Sequence, residues 1–385
     1  MPRSPSQPLP GAPDPWAPSS IPTFRSRPPY VMSEMIAAEP AVAERLVRRL
    51  GKDDALGRLA SEVRGAVDAG HPVVTTGCGT SEHAAMAIAA LLTEALELPA
   101  GREVRSVQAL DAQGRPLRSG LLLAVSHEGG THVTNEALRA ARAAGATTAL
   151  VTVGPGSPGA ALADIAVLTE EQDQSWCHTV GYLAPIVVGV TLAAKLRRSR
   201  LDAAAIRALL DVSSDAHAPA EVAAALVGTD RLLVAGASTD AITARELALK
   251  VNEGARLPAT ALELETVLHG HLAAATRWTG LVLVLTDASP AVQERAHRLL
   301  AAAKALSVPA AAIVGDQISG ELDPDETSAG RIDLPHTGRV PALAGSLLSS
   351  AIALQLLTER LARARKVSPD TLGREHEDQA AAARA

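Results

Sequence analysis

Two loops of the sequence combine glycine with hydroxyl side chains at the start of a predicted helix. Residues 77–81 (GCGTS) follow the apolar run PVVTTG, and residues 126–131 (SHEGGT) follow a second apolar run in the same way. Glycine allows close backbone approach and unpaired helix N–H groups attract anions, so each loop could cradle an anion or a polyol. The alternative interpretation is that Ser81 simply caps its helix.

A carboxylate and a histidine further along the chain could carry acid-base chemistry. Glu253 lies in the predicted helix AITARELALKVNEGA, and His269 precedes a glycine at a turn. Isomerisation of an aldose to a ketose needs one base that reaches two adjacent carbons and a second group that manages the ring oxygen. Taken alone, Glu253 is typical of a solvated helix residue, and Lys250 of a surface ion pair with Glu246.

Three histidines and two cysteines are the candidates for metal chemistry. His178, His269 and His271 lack an accompanying carboxylate at ligand spacing, so solvated or substrate-facing histidines are the preferred interpretation. Cys78 and Cys177 lie too far apart for a zinc knuckle or a disulfide framework, which favours a reducing compartment. We expect no metal and no cofactor.

The composition excludes several classes of function. The chain has 385 residues, 47% of them hydrophobic, and a net charge of −6 with the two signs interspersed, which argues against a nucleic-acid partner. Only 2% of the residues are aromatic, which argues against a base-stacking platform. Because no segment resembles a signal sequence or a membrane span, we expect a cytoplasmic protein without a membrane partner.

Apolar strands alternate with helical patterns from Pro72 onward. Such alternation predicts an α/β protein with parallel sheets covered by helices on both faces, and the second half repeats the order of the first. We predict a disordered Pro-rich arm (residues 1–31), two α/β domains (residues 32–210 and 211–365) and a polar C-terminal tail (residues 366–385).

Four ordered motifs across residues 33–365 resemble the sugar isomerase (SIS) domain, in the tandem form of the isomerase half of glucosamine-6-phosphate synthase. They are MSEMIAAEP, GCGTS, SHEGGT and ELALKVNEGARLPATALELETVLHG. The resemblance implies two doubly wound, flavodoxin-like three-layer αβα domains in tandem. The glutaminase half is expected to be missing, since the N-terminal arm is short and lacks a cysteine directly after the initiator Met.

The resemblance also implies roles for individual residues. Glu253 falls on the carboxylate that moves a proton between adjacent sugar carbons, with Lys250 as a weaker catalytic candidate. His269 falls on the histidine that opens the sugar ring, which in the family crosses a dimer interface, so we expect a homodimer. The expected substrate-binding residues are Gly79, Thr80, Ser81, Ser126, His127, Glu128, Thr131 and Thr179.

The pattern breaks at several positions, of which Glu128 is the most informative. It replaces a phosphate-binding serine, and two unit charges about 4 Å apart repel by roughly 4 kcal/mol at an effective dielectric near 20. Either Glu128 turns away, or the ligand carries no phosphate there; an amine on the ligand would make Glu128 a binding group. Residues 175–179 (SWCHT) replace a Ser-Thr-Lys segment, and the tail lacks the family's Schiff-base lysine.

The sequence therefore predicts an enzyme that isomerises, deaminates or deglycates a sugar or amino-sugar derivative, phosphorylated or not, through an enediol. The alternative is a non-catalytic regulatory protein that binds a sugar derivative.

Overall fold

A computed structural model describes residues 25–382 of the chain, which fold into two compact units. The first unit contains Glu39–Asp173 and Val180–Arg207. The second contains residues 25–38, the short segment Gln174–Thr179 and residues 208–382. Most of the predicted N-terminal arm, residues 1–24, lies outside the described residues.

The first unit is built on one parallel five-stranded sheet with the order β2-β1-β3-β4-β5. Every residue of β1 and β3 is buried, as expected for strands that are covered on both faces. The order reverses between β1 and β3, which are adjacent in the sheet. The strands are β1 (Val73–Gly77), β2 (Arg105–Gln108), β3 (Leu121–Val125), β4 (Thr147–Thr152) and β5 (Ile165–Leu168).

The second unit has a parallel five-stranded sheet with the corresponding order, read as β7-β6-β8-β9-β10. The reversal here lies between β6 and β8. The predicted architecture of two doubly wound parallel sheets in tandem is confirmed. The strands are β6 (Arg231–Gly236), β7 (Ala259–Glu263), β8 (Thr279–Leu285), β9 (Ala310–Val314) and β10 (Arg331–Asp333).

Helices connect the strands and cover both sheets. They are α1 (Val31–Leu50), α2 (Asp54–Asp68), α3 (Thr80–Ala95), α4 (Ala109–Gly114), α5 (His132–Ala144), α6 (Val180–Leu196), α7 (Ala203–Ser213), α8 (His217–Leu226), α9 (Asp240–Lys250), α10 (Leu264–Leu268), α11 (Pro290–Ala305), α12 (Ala342–Ala364) and α13 (Glu377–Ala382).

Two helices, α6 and α12, are largely buried and form the interior of their units. In α6 every residue except Lys195 is buried, and the helix packs against α3. Within the described residues, α12 alone is long and apolar enough to cross a membrane, yet 83% of its most apolar window is buried inside the protein. This burial is typical of a core helix.

The segment that follows α12 is tied to the start of the chain's described part. Ser368, Asp370 and Thr371 are buried, in contrast to the polar tail that the sequence suggested. The carboxylate of Asp370 accepts hydrogen bonds from the backbone N–H groups of Val31 (2.9 Å) and Met32 (2.8 Å). Asp370 therefore caps the first turn of α1 from a distant position in the sequence.

We predict that Asp370→Ala destabilises the second unit by about 2 to 4 kcal/mol, because two buried N–H groups lose a charged acceptor. The measurement is urea unfolding followed by circular dichroism. Asp53→Ala is the matched control, since Asp53 caps α2 through one hydrogen bond to the N–H of Leu56 (2.8 Å). Equal losses for the two variants would contradict a special role for Asp370.

Candidate functional site

The loop after β1 leads directly into α3. Gly77 packs so tightly that a Cβ there would lie 2.6 Å from the carbonyl carbon of Ser81, and Gly79 has a φ of +57°. Gly79 is the N-cap of α3, and no side chain caps this helix. The interpretation of Ser81 as a helix cap is therefore wrong, and its partly exposed hydroxyl is not committed to the helix end. Thr80 is buried.

The loop after β3 places its residues in two different environments. Ser126 is buried and its hydroxyl donates to the Oγ1 of Thr131 (3.3 Å), which is exposed at the N-cap of α5. His127 is also buried, and its Nε2 accepts the N–H of Asp173 (3.0 Å). The Nε2 of His127 is therefore engaged in a structural hydrogen bond. Glu128, in contrast, remains partly exposed at the loop.

The two loops lie where the strand order of the first sheet reverses. Since β1 and β3 are adjacent and parallel, both loops follow the carboxyl ends of their strands on the same side of the sheet. They lead into the N-termini of α3 and α5. Ligands of doubly wound sheets bind at this position. Hydroxyl groups, helix N-termini and one carboxylate suit a polar ligand with hydroxyl groups and a charge.

In the second unit, the end of α9 carries a buried cation. The Nζ of Lys250 lies 2.5 Å from a carboxylate oxygen of Glu253 and 3.7 Å from one of Glu246. The side chains of Lys250 and Glu246 are 1% and 0% exposed, whereas that of Glu253 is 25% exposed. Burial alone would lower the pKa of Lys250, but the two carboxylates outweigh it and raise that pKa above its ordinary value.

Glu253 belongs to a single π-helical turn, Val251–Ala255, that ends α9. Asn252 links this turn to β7, since its side-chain amide donates to the carbonyl oxygens of Ala248 and Ala259 (both 2.8 Å). Gly254 leaves room for Cys177, because a Cβ at Gly254 would lie 2.9 Å from its Sγ. Turns of this kind occur often at functional sites because they redirect side chains.

The segment Gln174–Thr179 packs against this turn. The thiol of Cys177 lies 3.9 Å from the carbonyl oxygen of Lys250, and the amide of Gln355 donates to the carbonyl oxygen of Thr179 (3.2 Å). Thr179 is fully buried. His178 lies between these two anchored residues, and part of its surface reaches solvent.

The surroundings of His178 favour the neutral imidazole. Burial, and then the positive charge of Lys250, lower the pKa of His178 to about 3. At neutral pH the ring can therefore both donate and accept a hydrogen bond beside a fixed ammonium group.

His269 lies on the surface of the second unit at the end of α10. Its ring is 71% exposed, and its Nε2 is 2.8 Å from a carboxylate oxygen of Glu265. Hydrogen bonds from Arg295 and His269 lower the pKa of Glu265. The histidine proposed for catalysis is thus paired with Glu265 and not with Glu253. In residues 25–382, no group of three or more His, Cys, Asp and Glu side chains is placed to hold a metal ion.

Two cavities of the first unit, of 700 and 820 Å³, lie away from the two loops. Lys52 and Lys195 line both, and Thr147 and Ile165 at the amino ends of β4 and β5 line the smaller one. The loops, in contrast, follow the carboxyl ends of the strands. We therefore place the candidate ligand site at the loops and not in these cavities.

Comparisons with known proteins identify a SIS domain in this chain. The SIS domain profile matches residues 68–195. The chain is 29% identical over 371 residues to a glutamine–fructose-6-phosphate aminotransferase (isomerizing) of Symbiobacterium thermophilum, covering 89% of this chain and 57% of that protein. The chain thus spans little more than half the length of this relative.

Solved structures show the same fold. The C-terminal domain of a glucosamine-fructose-6-phosphate aminotransferase from Francisella tularensis superposes with a TM-score of 0.72 at 17% identity, over 89% of this chain and 98% of that one. A tagatose-6-phosphate ketose/aldose isomerase from Escherichia coli superposes with a TM-score of 0.71 at 18% identity, over 91% and 97%.

The lowered pKa of His178 predicts how the free energy of unfolding changes with pH. The unfolded chain takes up a proton near pH 6.5 and the folded chain only at much lower pH, so stability falls as pH drops from about 6.5 toward 3. The slope is at most about 1.4 kcal/mol per pH unit.

Denaturant unfolding at pH 7 and pH 5 should show a smaller loss of unfolding free energy for His178→Asn than for wild type. His271→Asn, at an exposed position, is the control and should behave as wild type; equal losses in all three would contradict the assignment.

Proposed function

We propose that this SIS-domain protein is an enzyme that moves a proton between adjacent carbons of a sugar or amino-sugar derivative, with Glu253 as the base. The observation that carries the proposal is the fixed pair of Glu253 and Lys250. A base must reach its substrate, and Glu253 is the partly exposed member of an otherwise buried ionic cluster. The buried ammonium orients the carboxylate at the redirected end of α9.

The proposed reaction needs the carboxylate of Glu253 first as a general base and then, once protonated, as a general acid. Glu253 takes the proton from the carbon next to the carbonyl group, which leaves an enediolate. The hydroxyl proton then passes from one oxygen of the enediolate to the other, and Glu253 delivers its proton to the former carbonyl carbon. Isomerases, deaminases and deglycases share this step and differ in what leaves afterwards. Because the pKa of Lys250 is raised, Lys250 remains an ammonium group and serves as an anchor, not as a second base.

We assign ring opening to His269. Its imidazole is exposed and already paired with a carboxylate, as suits a group that exchanges a proton with a ring oxygen. We also propose a homodimer, because in the family that the sequence resembles the corresponding histidine crosses a dimer interface. A cytoplasmic location also belongs to it, because the two cysteines are both free.

The two loops of the first unit are proposed to bind the sugar derivative, with Ser81, Ser126 and Thr131 contacting its oxygens. In this proposal, the carboxylate of Glu128 determines which ligand charge the loop can bind. Since a carboxylate repels a phosphate, the position of Glu128 favours an amine or a neutral polyol at this loop. An amino sugar or a fructosamine is therefore the preferred substrate class.

We predict that Glu253→Gln lowers catalysis by at least about 100-fold, because the amide cannot accept the carbon-bound proton. The measurement is ¹H NMR in D₂O of fructosamine, glucosamine 6-phosphate and fructose 6-phosphate, following product formation and deuterium incorporation at carbon. Glu263→Gln is the matched control, since Glu263 is an exposed carboxylate of the same unit that pairs with Arg245.

Full activity of Glu253→Gln would remove Glu253 from the mechanism. If wild type binds one of these compounds but neither converts it nor incorporates deuterium, the protein is instead a sugar-binding regulatory protein.

We predict that Glu128→Ser reverses the ligand preference. Wild type should be stabilised in thermal-shift assays more by an unphosphorylated amine than by the corresponding phosphate. The variant should gain affinity for the phosphate by up to about a thousandfold as the repulsion disappears. Glu136→Ser, which removes a carboxylate further along α5, is the control. Strong stabilisation of wild type by a sugar phosphate would exclude this role of Glu128.

A further inference from the structure

The second unit contains a pair of loops that corresponds to the two loops of the first. Gly236 ends β6 as Gly77 ends β1, and a Cβ at Gly236 would lie 2.6 Å from the carbonyl carbon of Asp240. The same distance separates a Cβ at Gly77 from the carbonyl carbon of Ser81. Asp240 is therefore the structural counterpart of Ser81.

The second loop of each pair also corresponds. Val125 of β3 pairs with Val151, and Leu285 of β8 pairs with Val314. The residues that follow, Ser126 in the first unit and Thr286 in the second, thus occupy equivalent positions after the strand.

Asp240 bridges the two loops of the second unit. Its carboxylate accepts the N–H of Thr286 (2.8 Å), the hydroxyl of Thr286 (2.6 Å) and the N–H of Asp287 (3.2 Å). The residue is only 3% exposed. Three hydrogen-bond donors thus converge on one buried carboxylate. A bound oxyanion would accept the same kind of hydrogen bonds if this carboxylate were absent.

The first unit uses the equivalent amide differently. The N–H of Ser126 donates to the carbonyl oxygen of Val151 (3.1 Å) and so continues the sheet. In the second unit the N–H of Thr286 is turned toward Asp240 instead. The loop after β8 is therefore arranged around a carboxylate, whereas the loop after β3 is not.

We propose that Asp240 closes the loop pair of the second unit with its own carboxylate, so that this loop pair is filled by a side chain of the protein and takes no anionic ligand.

The test is chemical rescue of Asp240→Gly by formate, a carboxylate small enough to fill the vacated space. The variant should have a lower Tm than wild type, and formate should recover most of the loss while leaving wild type unchanged. Inorganic phosphate should also stabilise the variant. Asp240→Asn, whose side chain still fills the space, should not be rescued.

Asp164→Gly is the matched control for a general effect of formate. Asp164 accepts the N–H (2.9 Å) and the hydroxyl (2.8 Å) of Thr148 in the same way, but at the amino end of β4. Rescue of Asp164→Gly to the same extent, or no rescue of Asp240→Gly, would overturn the proposal.

A measurement on wild type keeps the proposal testable if the variants do not fold. Titration with inorganic phosphate, followed by amide NMR, should leave the signals of Thr286 and Asp287 in place. Saturable shifts of these two amides would show that the second loop pair is open, and would overturn the proposal. Neither experiment uses a sugar or an activity, so its failure is distinct from a failure of the proposed function.

Discussion

The candidate chemistry of the second unit depends on the burial of one ammonium group. Removing one partner from a buried ion pair typically costs about 3 to 5 kcal/mol, because the remaining charge is left uncompensated. Lys250 is 1% exposed and therefore requires Glu246 and Glu253 at its sides. Glu246 lies one helical turn before Lys250 and is equally buried, so it supplies the permanent partner. Glu253 is the partly exposed partner, with one oxygen 2.5 Å from the Nζ of Lys250.

Helix α9 does not continue as a regular helix after Lys250. A π-helical turn places Glu253 within reach of Lys250 while Asn252 turns away to β7. Gly254 is needed at this turn because Cys177 occupies the space that a side chain would take. The segment Gln174–Thr179 therefore has a structural reason to belong to the second unit, although the chain on both sides of it belongs to the first.

The sequence was sufficient to predict the central strands of both sheets and one edge strand of each, β5 and β10. The other two edge strands, β2 and β7, were not predicted. Both are edge strands with largely exposed or partly exposed residues, and RSVQ and ATALE lack the continuous apolar pattern of a central strand. Helix α9 was predicted too long, since a π-helical turn has no distinct signature in residue periodicity.

Residue type and spacing named the candidate residues of the second unit but did not reveal their environments. The pair of Lys250 and Glu246 was expected on the surface because its i,i+4 spacing is common there; only tertiary packing reveals that both are buried. The neutral state of His178 could not be predicted either, because it depends first on burial in the folded chain and then on the charge of Lys250, which lies far away in the sequence. Contacts between distant segments thus decide the protonation of groups that look ordinary in sequence.

The two units illustrate how one topology can serve two purposes. Both have the strand order 2-1-3-4-5 and a glycine that brings the following helix close to the sheet. In the second unit the carboxylate of Asp240 satisfies the donors of its own loop pair. In the first unit a hydroxyl stands at the equivalent position, Ser81, and the N–H of Ser126 is satisfied by the sheet instead. Because a satisfied buried donor stabilises a loop, both loop pairs are held by internal hydrogen bonds, but only the second is held by a charged side chain. That unit is also the one whose helix α9 carries the buried cation, as expected if the orientation of Glu253 must be held before any substrate arrives.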